Sequence, residues 1–348
     1  MRTIEQFQER VHAAAAGKQP LRIRGGGSKD WYGQRLEGEV LDTRGYAGIV
    51  DYEPTELVIT ARCGTPLAEI EAVLSEHKQM LAFEPPHFGP HATLGGSIAA
   101  GLAGPRRATS GGVRDFVLGA KLLDGKGDVL SFGGRVMKNV AGYDVSRLLA
   151  GSLGTLGLLL EVSVKVLPRP VAERTLRLEM SEGEAIRMLN EWGGQPLPVS
   201  SSCWHNGLLC LRLSGAQAAV DAAVRQIGGE IVSNCASFWS AIREQHHPFF
   251  GGESALWRLS LPSTSAPLAL GGTQLIEWGG AQRWLRTDLD AASIRQCVAA
   301  LGGHATLFRG GDKSCGVFQP LAPAVARIHE GLKDAFDPAR IFNPGRMY

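Results

Sequence analysis

Arg24-Gly25-Gly26-Gly27-Ser28-Lys29-Asp30 follows directly on a short apolar strand candidate, Leu21–Arg24. Three consecutive glycines let the backbone take conformations closed to other residues. Successive N–H groups can then turn toward one anion, forming a nest. Arg24 and Lys29 flank that nest with positive charge, and Ser28 adds a hydroxyl donor. The assembly suits a diphosphate. Taken alone, the stretch reads equally well as a flexible surface turn, and the sequence around it has to decide.

Two further glycine-rich stations lie in the same half of the chain. The second is Ala92-Thr93-Leu94-Gly95-Gly96-Ser97-Ile98-Ala99-Ala100-Gly101, small at nearly every position. It lets a flat, bulky group lie against the backbone; the alternative is a close-packed contact between a helix and a sheet. The third, Gly151-Ser152-Leu153-Gly154-Thr155-Leu156-Gly157, ends where an apolar run begins. Its alternative reading is a tight turn into a strand. No G-x-G-x-x-G follows a strand, so a Rossmann dinucleotide site is not indicated. Three stations, one flanked by cations, point to an extended nucleotide cofactor bound along several loops. Glycine is the compositional anomaly, 45 of 348 residues, against about 7% in average usage.

Around these stations the spacing predicts a helix over 4–16 and short strands at 21–24, 40–42, 49–52 and 57–61, rich in Val and Ile. Thr65-Pro66-Leu67-Ala68-Glu69 reads as a helix start with a threonine N-cap, running to about His77. Strands at 116–124 and 128–132 are joined by Gly125-Lys126-Gly127, a hairpin signal. Residues 143–149 read as helical and Leu158–Leu167 as a long strand. Pro168 and Pro170 close this half. Beyond them glycine clusters become rarer. Helix candidates at 182–192, 216–227, 236–246 and 291–300 alternate with strands near 208–213, 256–261, 274–278 and 305–309. That pattern reads as an antiparallel sheet with helices on one face. A last helix is expected over 325–336, followed by a stiff tail at Asn343-Pro344-Gly345-Arg346.

The bulk numbers exclude several classes. A net charge of +2 gives no field for nucleic acid. The six cysteines show no C-x-x-C pair, which argues against zinc ribbons and iron–sulfur ligation, and their scatter reads as free thiols of a reducing compartment. Met1–Arg10 is charged and polar, unlike a secretory signal. The longest apolar stretch, Leu153–Val166, is too short to span a bilayer. The expectation is a cytoplasmic chain without direct membrane insertion, meeting a membrane only through partners.

The three stations and their neighbours resemble the FAD-binding domain of the vanillyl-alcohol oxidase / p-cresol methylhydroxylase (PCMH) flavoproteins. The resemblance rests on Arg24–Lys29, Pro85-Pro86, Ala92–Gly96, Arg114-Asp115 before Val117–Gly125, Gly142-Tyr143-Asp144, Gly151–Gly157, Glu161-Val162 and Phe342–Arg346. It implies an α+β chain. A PCMH-type FAD-binding domain of two α/β subdomains would occupy residues 1–170, and an α+β cap domain of antiparallel sheet and helices residues 171–324. A C-terminal helix and tail, 325–348, would return to the FAD-binding domain. Within the family, Lys138–Asp144, Leu148–Ser152 and Ala281–Leu285 resemble the FAD-binding subunits of glycolate oxidases. That implies oxidation of glycolate to glyoxylate by a complex with a paralogous catalytic flavoprotein and an iron–sulfur protein, passing electrons toward quinones.

Carried over by position, Arg24, Gly25, Gly26, Gly27, Ser28 and Lys29 would hold the pyrophosphate. Thr93, Leu94, Gly95 and Gly96 would line the cofactor near its middle and ring. Ser110, Gly111 and Val113 would approach the ribityl–phosphate region, and Gly157, Leu158 and Leu159 the adenine or the ring. Asn343 and Arg346 would close over the isoalloxazine, where a cation stabilises anionic reduced flavin. Covalent attachment in the family uses a histidine in the first glycine loop. Here that loop has Ser28 and Lys29, so the FAD is expected to be non-covalent. The third station carries Leu153 where the family usually has glutamate.

Catalytic relatives that oxidise 2-hydroxy acids carry histidine-rich motifs supplying a base and a metal site. Neither motif is present, so no catalytic residue and no metal ligand is assigned. His87 and His91 are four apart, but Gly89 and Pro90 between them indicate a loop. His246-His247-Pro248-Phe249-Phe250 reads as a helix C-terminus with ordinary packing, or as an apolar docking patch. Arg283, Arg286 and Arg309 could bind a carboxylate or make surface ion pairs. Three roles therefore stand: an accessory or electron-relay flavoprotein, a self-sufficient FAD-dependent 2-hydroxy-acid dehydrogenase, and a structural subunit without flavin. Retained glycine stations disfavour the third, and missing histidine motifs the second.

Overall fold

Phe7, Val11 and Ala14 recur at helical spacing and are buried, which winds Arg2–Gly17 into helix α1 with one face on the first core. The computed structural model describes residues 2–134, 144–233 and 235–347. Gly142, Tyr143 and most of the Lys138–Asp144 motif lie outside the described residues. After α1, strand β1 (Leu21–Arg24) pairs in parallel with β2 (Glu39–Asp42). Then come β3 (Ile49–Glu53), β4 (Val58–Arg62), helix α2 (Leu67–Glu76), β5 (Gln79–Met80) and helices α3 (Leu94–Ala100), α4 (Arg107–Ser110) and α5 (Val113–Phe116). The hairpin β6 (Val117–Leu123) and β7 (Val129–Gly133), a short helix α6 (Val145–Leu148), β8 (Leu158–Lys165) and β9 (Leu167–Pro168) complete this half.

Its main sheet has the order β3-β4-β8-β6-β7 and is antiparallel throughout. The apolar run of β8 lies between β4 and β6, with Leu160, Val162 and Val164 fully buried. Thr65 is not the cap of α2. Its hydroxyl accepts from Gly48 N at 2.9 Å instead, and the helix starts behind Pro66 without a side-chain cap. The second glycine station is itself helix α3, capped by Thr93, whose hydroxyl accepts from Gly96 N.

The second half forms one eight-stranded antiparallel sheet. Its elements are β10 (Ala172–Glu179), α7 (Glu182–Gly193), β11 (Val199–His205), β12 (Leu208–Gly215), α8 (Gln217–Ile227), β13 (Glu230–Val232), α9 (Ala236–Arg243), β14 (Ala255–Ser260), β15 (Thr273–Glu277), β16 (Gln282–Thr287), α10 (Ala291–Ala300) and β17 (His304–Arg309). The strand order is β13-β10-β12-β11-β15-β16-β14-β17. Ser181 and Glu184 form a reciprocal capping box on α7. Helices α7 and α8 cover Leu209, Leu211 and Leu213, while α10 covers Leu259 and Leu285.

Helix α11 (Pro323–Phe336) and the tail return to the first half. Leu332, Phe336, Ile341 and Phe342 join the core around β8. An aromatic core joins the two halves: Tyr32 and Leu102, from loops of the first, meet Trp239, Phe249, Phe250, Trp284 and Phe308 from the second. Phe249 and Phe250 are therefore packing residues, not an exposed patch. Helix α9 stops at Arg243, and His247 caps the turn that follows, its ring accepting from Phe249 N.

Candidate cofactor cleft

The loop leaving β1, helix α3 and the C-terminal tail line one open cleft. All six residues Arg24–Lys29 border it, with Thr93, Gly96, Asn343 and Arg346. These come from three distant stretches, and the glycines explain how the stretches meet. A Cβ on Gly26 would lie 1.4 Å from the carbonyl oxygen of His91, and one on Gly25 would lie 2.4 Å from the Thr93 hydroxyl. Gly27 has φ +74°, a conformation natural only to glycine. The second and third stations meet in the same way. Gly101, at φ +65°, has the Cα of Gly151 2.8 Å from where its Cβ would be, and Leu153 N donates to Ala99 O at 2.9 Å. The second station is thus a close-packed contact, and its Thr93, Gly96, Ala99 and Ala100 also border the cleft.

The tail locks in through its side chains. Asn343 accepts from Ile23 N at 2.9 Å and donates to Leu153 O at 2.7 Å. Arg346 donates to the carbonyls of Asp30 and Lys29, both at 3.1 Å. Burial pulls its guanidinium down to about 10, partly offset by Asp30.

Among the lining residues, three cations (Arg24, Lys29, Arg346) stand with one carboxylate, Asp30, which leaves the cleft net positive. Asp30 takes Arg24 Nε at 2.8 Å and Arg22 at 2.5 Å. Lys29 donates to His87 O at 3.3 Å and lies 5.6 Å from the Phe88 ring centre. Burial lowers its pKa to about 8, against the opposing pull of Glu244. A desolvated ammonium beside a glycine cradle gains most from an arriving anion. The donor set therefore fits a pyrophosphate.

Other expected site residues stand off the lining. Leu94 belongs to the hydrophobic core, and Gly95 packs on Cys63. Ser110 donates to Ala82 O and Arg106 O, Gly111 packs on Asp115, and Val113 is core. Gly157 packs on Leu123 O, while Leu158 and Leu159 are core residues of β8. The lining adds Ile23, Asp30, Leu36, Ala99, Ala100 and Leu153. Five of these lie within or beside the glycine stations, a signal the sequence held; Leu36 carried none. Arg283 and Arg286 donate to backbone carbonyls of Ser265, Ala266, Phe249 and Phe250. Arg309 pairs through its backbone with Leu256 in the sheet, and its guanidinium stacks on Trp31 at 4.4 Å.

Its similarities to known proteins place the chain among the flavoproteins. Residues 1–133 match the family described as "FAD binding domain". The fold is that of p-cresol methylhydroxylase, solved with substrate bound, at a TM-score of 0.72 and 15% identity over 99% of this chain and 87% of that one. Glycolate oxidase subunit GlcE of Escherichia coli (strain K12) is 52% identical over 340 residues, 98% of this chain and 96% of its own. The chain belongs to that glycolate oxidase subunit family. Glycolate oxidase subunit GlcD of Bacillus subtilis (strain 168) is 43% identical over 84 residues, 24% of this chain and 18% of its own. No helix among the described residues is long and apolar enough to cross a membrane.

Proposed function

We propose that this chain is the FAD-binding subunit of a multi-subunit glycolate oxidase and serves it as an accessory or electron-relay flavoprotein. The observation that carries the reading is identity of 52% across nearly the whole length of GlcE, joined to a cleft whose charge and glycine cradle suit the cofactor. Bound FAD supplies a two-electron acceptor. Arg24–Lys29 hold its pyrophosphate, Thr93 and Gly96 its middle, and Arg346 adds a cation near the ring. Holding is non-covalent, since the loop offers Ser28 and Lys29 and no histidine. Residues 1–170 with the returning tail form the flavin-binding unit, and 171–324 the cap.

The complex partners are a paralogous catalytic flavoprotein and an iron–sulfur protein, and the complex acts on a small 2-hydroxy acid. An accessory role is favoured by how the second sheet uses its side chains near the first. Trp284, Phe308 and Phe250 pack against each other there, and Arg283 and Arg286 are committed to backbone carbonyls. An anaerobic visible spectrum of the desalted chain, before and after glycolate, tests the reading. An oxidised flavin band that persists with glycolate is expected. Bleaching would overturn the accessory role in favour of a self-sufficient dehydrogenase, and absence of flavin would overturn the cofactor assignment.

A further inference from the structure

Glu244 follows directly on helix α9 of the second half, at an end where the helix dipole favours a cation over a carboxylate. Its side chain is 10% exposed and reaches away from its own helix. Oε2 accepts from His87 N at 3.0 Å and from Phe88 N at 2.8 Å, in a loop of the first half more than 150 positions away. Oε1 takes Arg243 Nε at 2.7 Å. A buried carboxylate with several donors is held in one geometry and holds its donors in turn.

The loop it holds is the one the glycine nest leans on. Phe88 has φ +52°, a region that costs a bulky residue free energy and persists only where its surroundings impose it. His87 O accepts from Lys29 Nζ at 3.3 Å, and the Phe88 ring lies 5.6 Å from the same ammonium. Three residues on, the His91 carbonyl stands against Gly26. Glu244 itself does not line the cleft. Its route to the nest runs through His87, Phe88 and Lys29.

On the reading that the cleft holds FAD, we infer that Glu244 is a positioning residue of the cofactor site, by which the second half fixes the His87–His91 loop and the Lys29 ammonium against the pyrophosphate nest. Its charge bears on Lys29 as well. Burial lowers that ammonium to about 8, and Glu244 pulls the other way. A neutral side chain at 244 therefore leaves Lys29 easier still to deprotonate.

The test strips the full chain of flavin and titrates it with FAD, read by flavin fluorescence on both sides of pH 8. Glu244→Ala should weaken binding about tenfold or more. Glu244→Gln keeps an acceptor for Phe88 N and should lose less, but the pH above which affinity falls should move below the parent's. With Lys29→Met in place, Glu244→Gln should move nothing. The other charges sharing the cleft or the Phe88 ring with Lys29, namely Arg24, Asp30, Arg346 and Arg309, and the nearby His87–Glu71 pair, are left unaltered. Glu244→Gln carries the test if Glu244→Ala does not fold. The inference alone is overturned if Glu244→Gln leaves that pH unmoved, whether affinity is unchanged or reduced equally at every pH. A parent that takes up no FAD overturns the cofactor reading, and this inference with it.

Discussion

Gly26 and Lys29 set the cleft's chemistry in different ways. Gly26 is steric: with the His91 carbonyl 1.4 Å from its virtual Cβ, even alanine forces the loop off the α3 approach. Gly26→Ala should lose bound FAD on desalting, and Gly26→Asp should lose it more completely by setting a carboxylate against the pyrophosphate. A flavin band retained by either variant would place the cofactor elsewhere. Lys29 is electrostatic. Burial lowers its pKa from 10.5 to about 8, so the free folded chain releases this proton before the unfolded chain does. The penalty for burying the charge is full below pH 8 and fades toward 10.5, where both states are neutral. This residue's contribution to folding stability therefore rises with pH across that window. Diphosphate binding favours the protonated form and works in the opposite direction. FAD affinity should fall as pH rises above about 8, by at most tenfold per pH unit. Flavin fluorescence titration should show that slope in the parent and its absence in Lys29→Met.

At the scale of elements, α11 and the tail depend on one buried ion pair. Lys333 donates to Asp337 at 2.6 Å and to the carbonyls of Thr155 and Phe342. Asp337, fully buried, also accepts from Ile341 N and Phe342 N. Lys333→Met strands that carboxylate and should cost about 3–5 kcal/mol of stability by urea unfolding. Lys333→Met with Asp337→Asn should recover part of it, because the amide oxygen still accepts. The pair was invisible in the sequence: lysine and aspartate four apart on a helix usually mean a solvated surface pair. Elements with a strong apolar period were legible, among them α1, β8, α7 and α10. Strands β10, β11, β13 and β16 were not expected. In β11 the polar run Ser200-Ser201-Ser202 is wholly buried; Ser200 and Ser201 bond to β12, and Ser202 takes Gly279 N. The cleft was legible where glycine marks close approach. It was not at Leu36, which lines the cleft from outside every glycine station.

Across the whole molecule, the loop after β1 meets the second sheet through an aromatic contact. Phe308 lies 4.7 Å from Trp284, 5.1 Å from Trp31 and 5.3 Å from Tyr32, ring centre to ring centre. Phe308→Ala should cost about 3–5 kcal/mol and separate one cooperative melt into two, followed by calorimetry with tryptophan fluorescence in parallel. A single unsplit transition in the variant would mean that the halves are coupled through other contacts. The hydrogen bond between Ile23 and Asn343 links residues 320 positions apart. During synthesis, the nest at Arg24–Lys29 leaves the ribosome long before the residues that seal it. On the proposed cofactor site, a chain cut before Asn343 would leave the cleft unsealed and should be colourless.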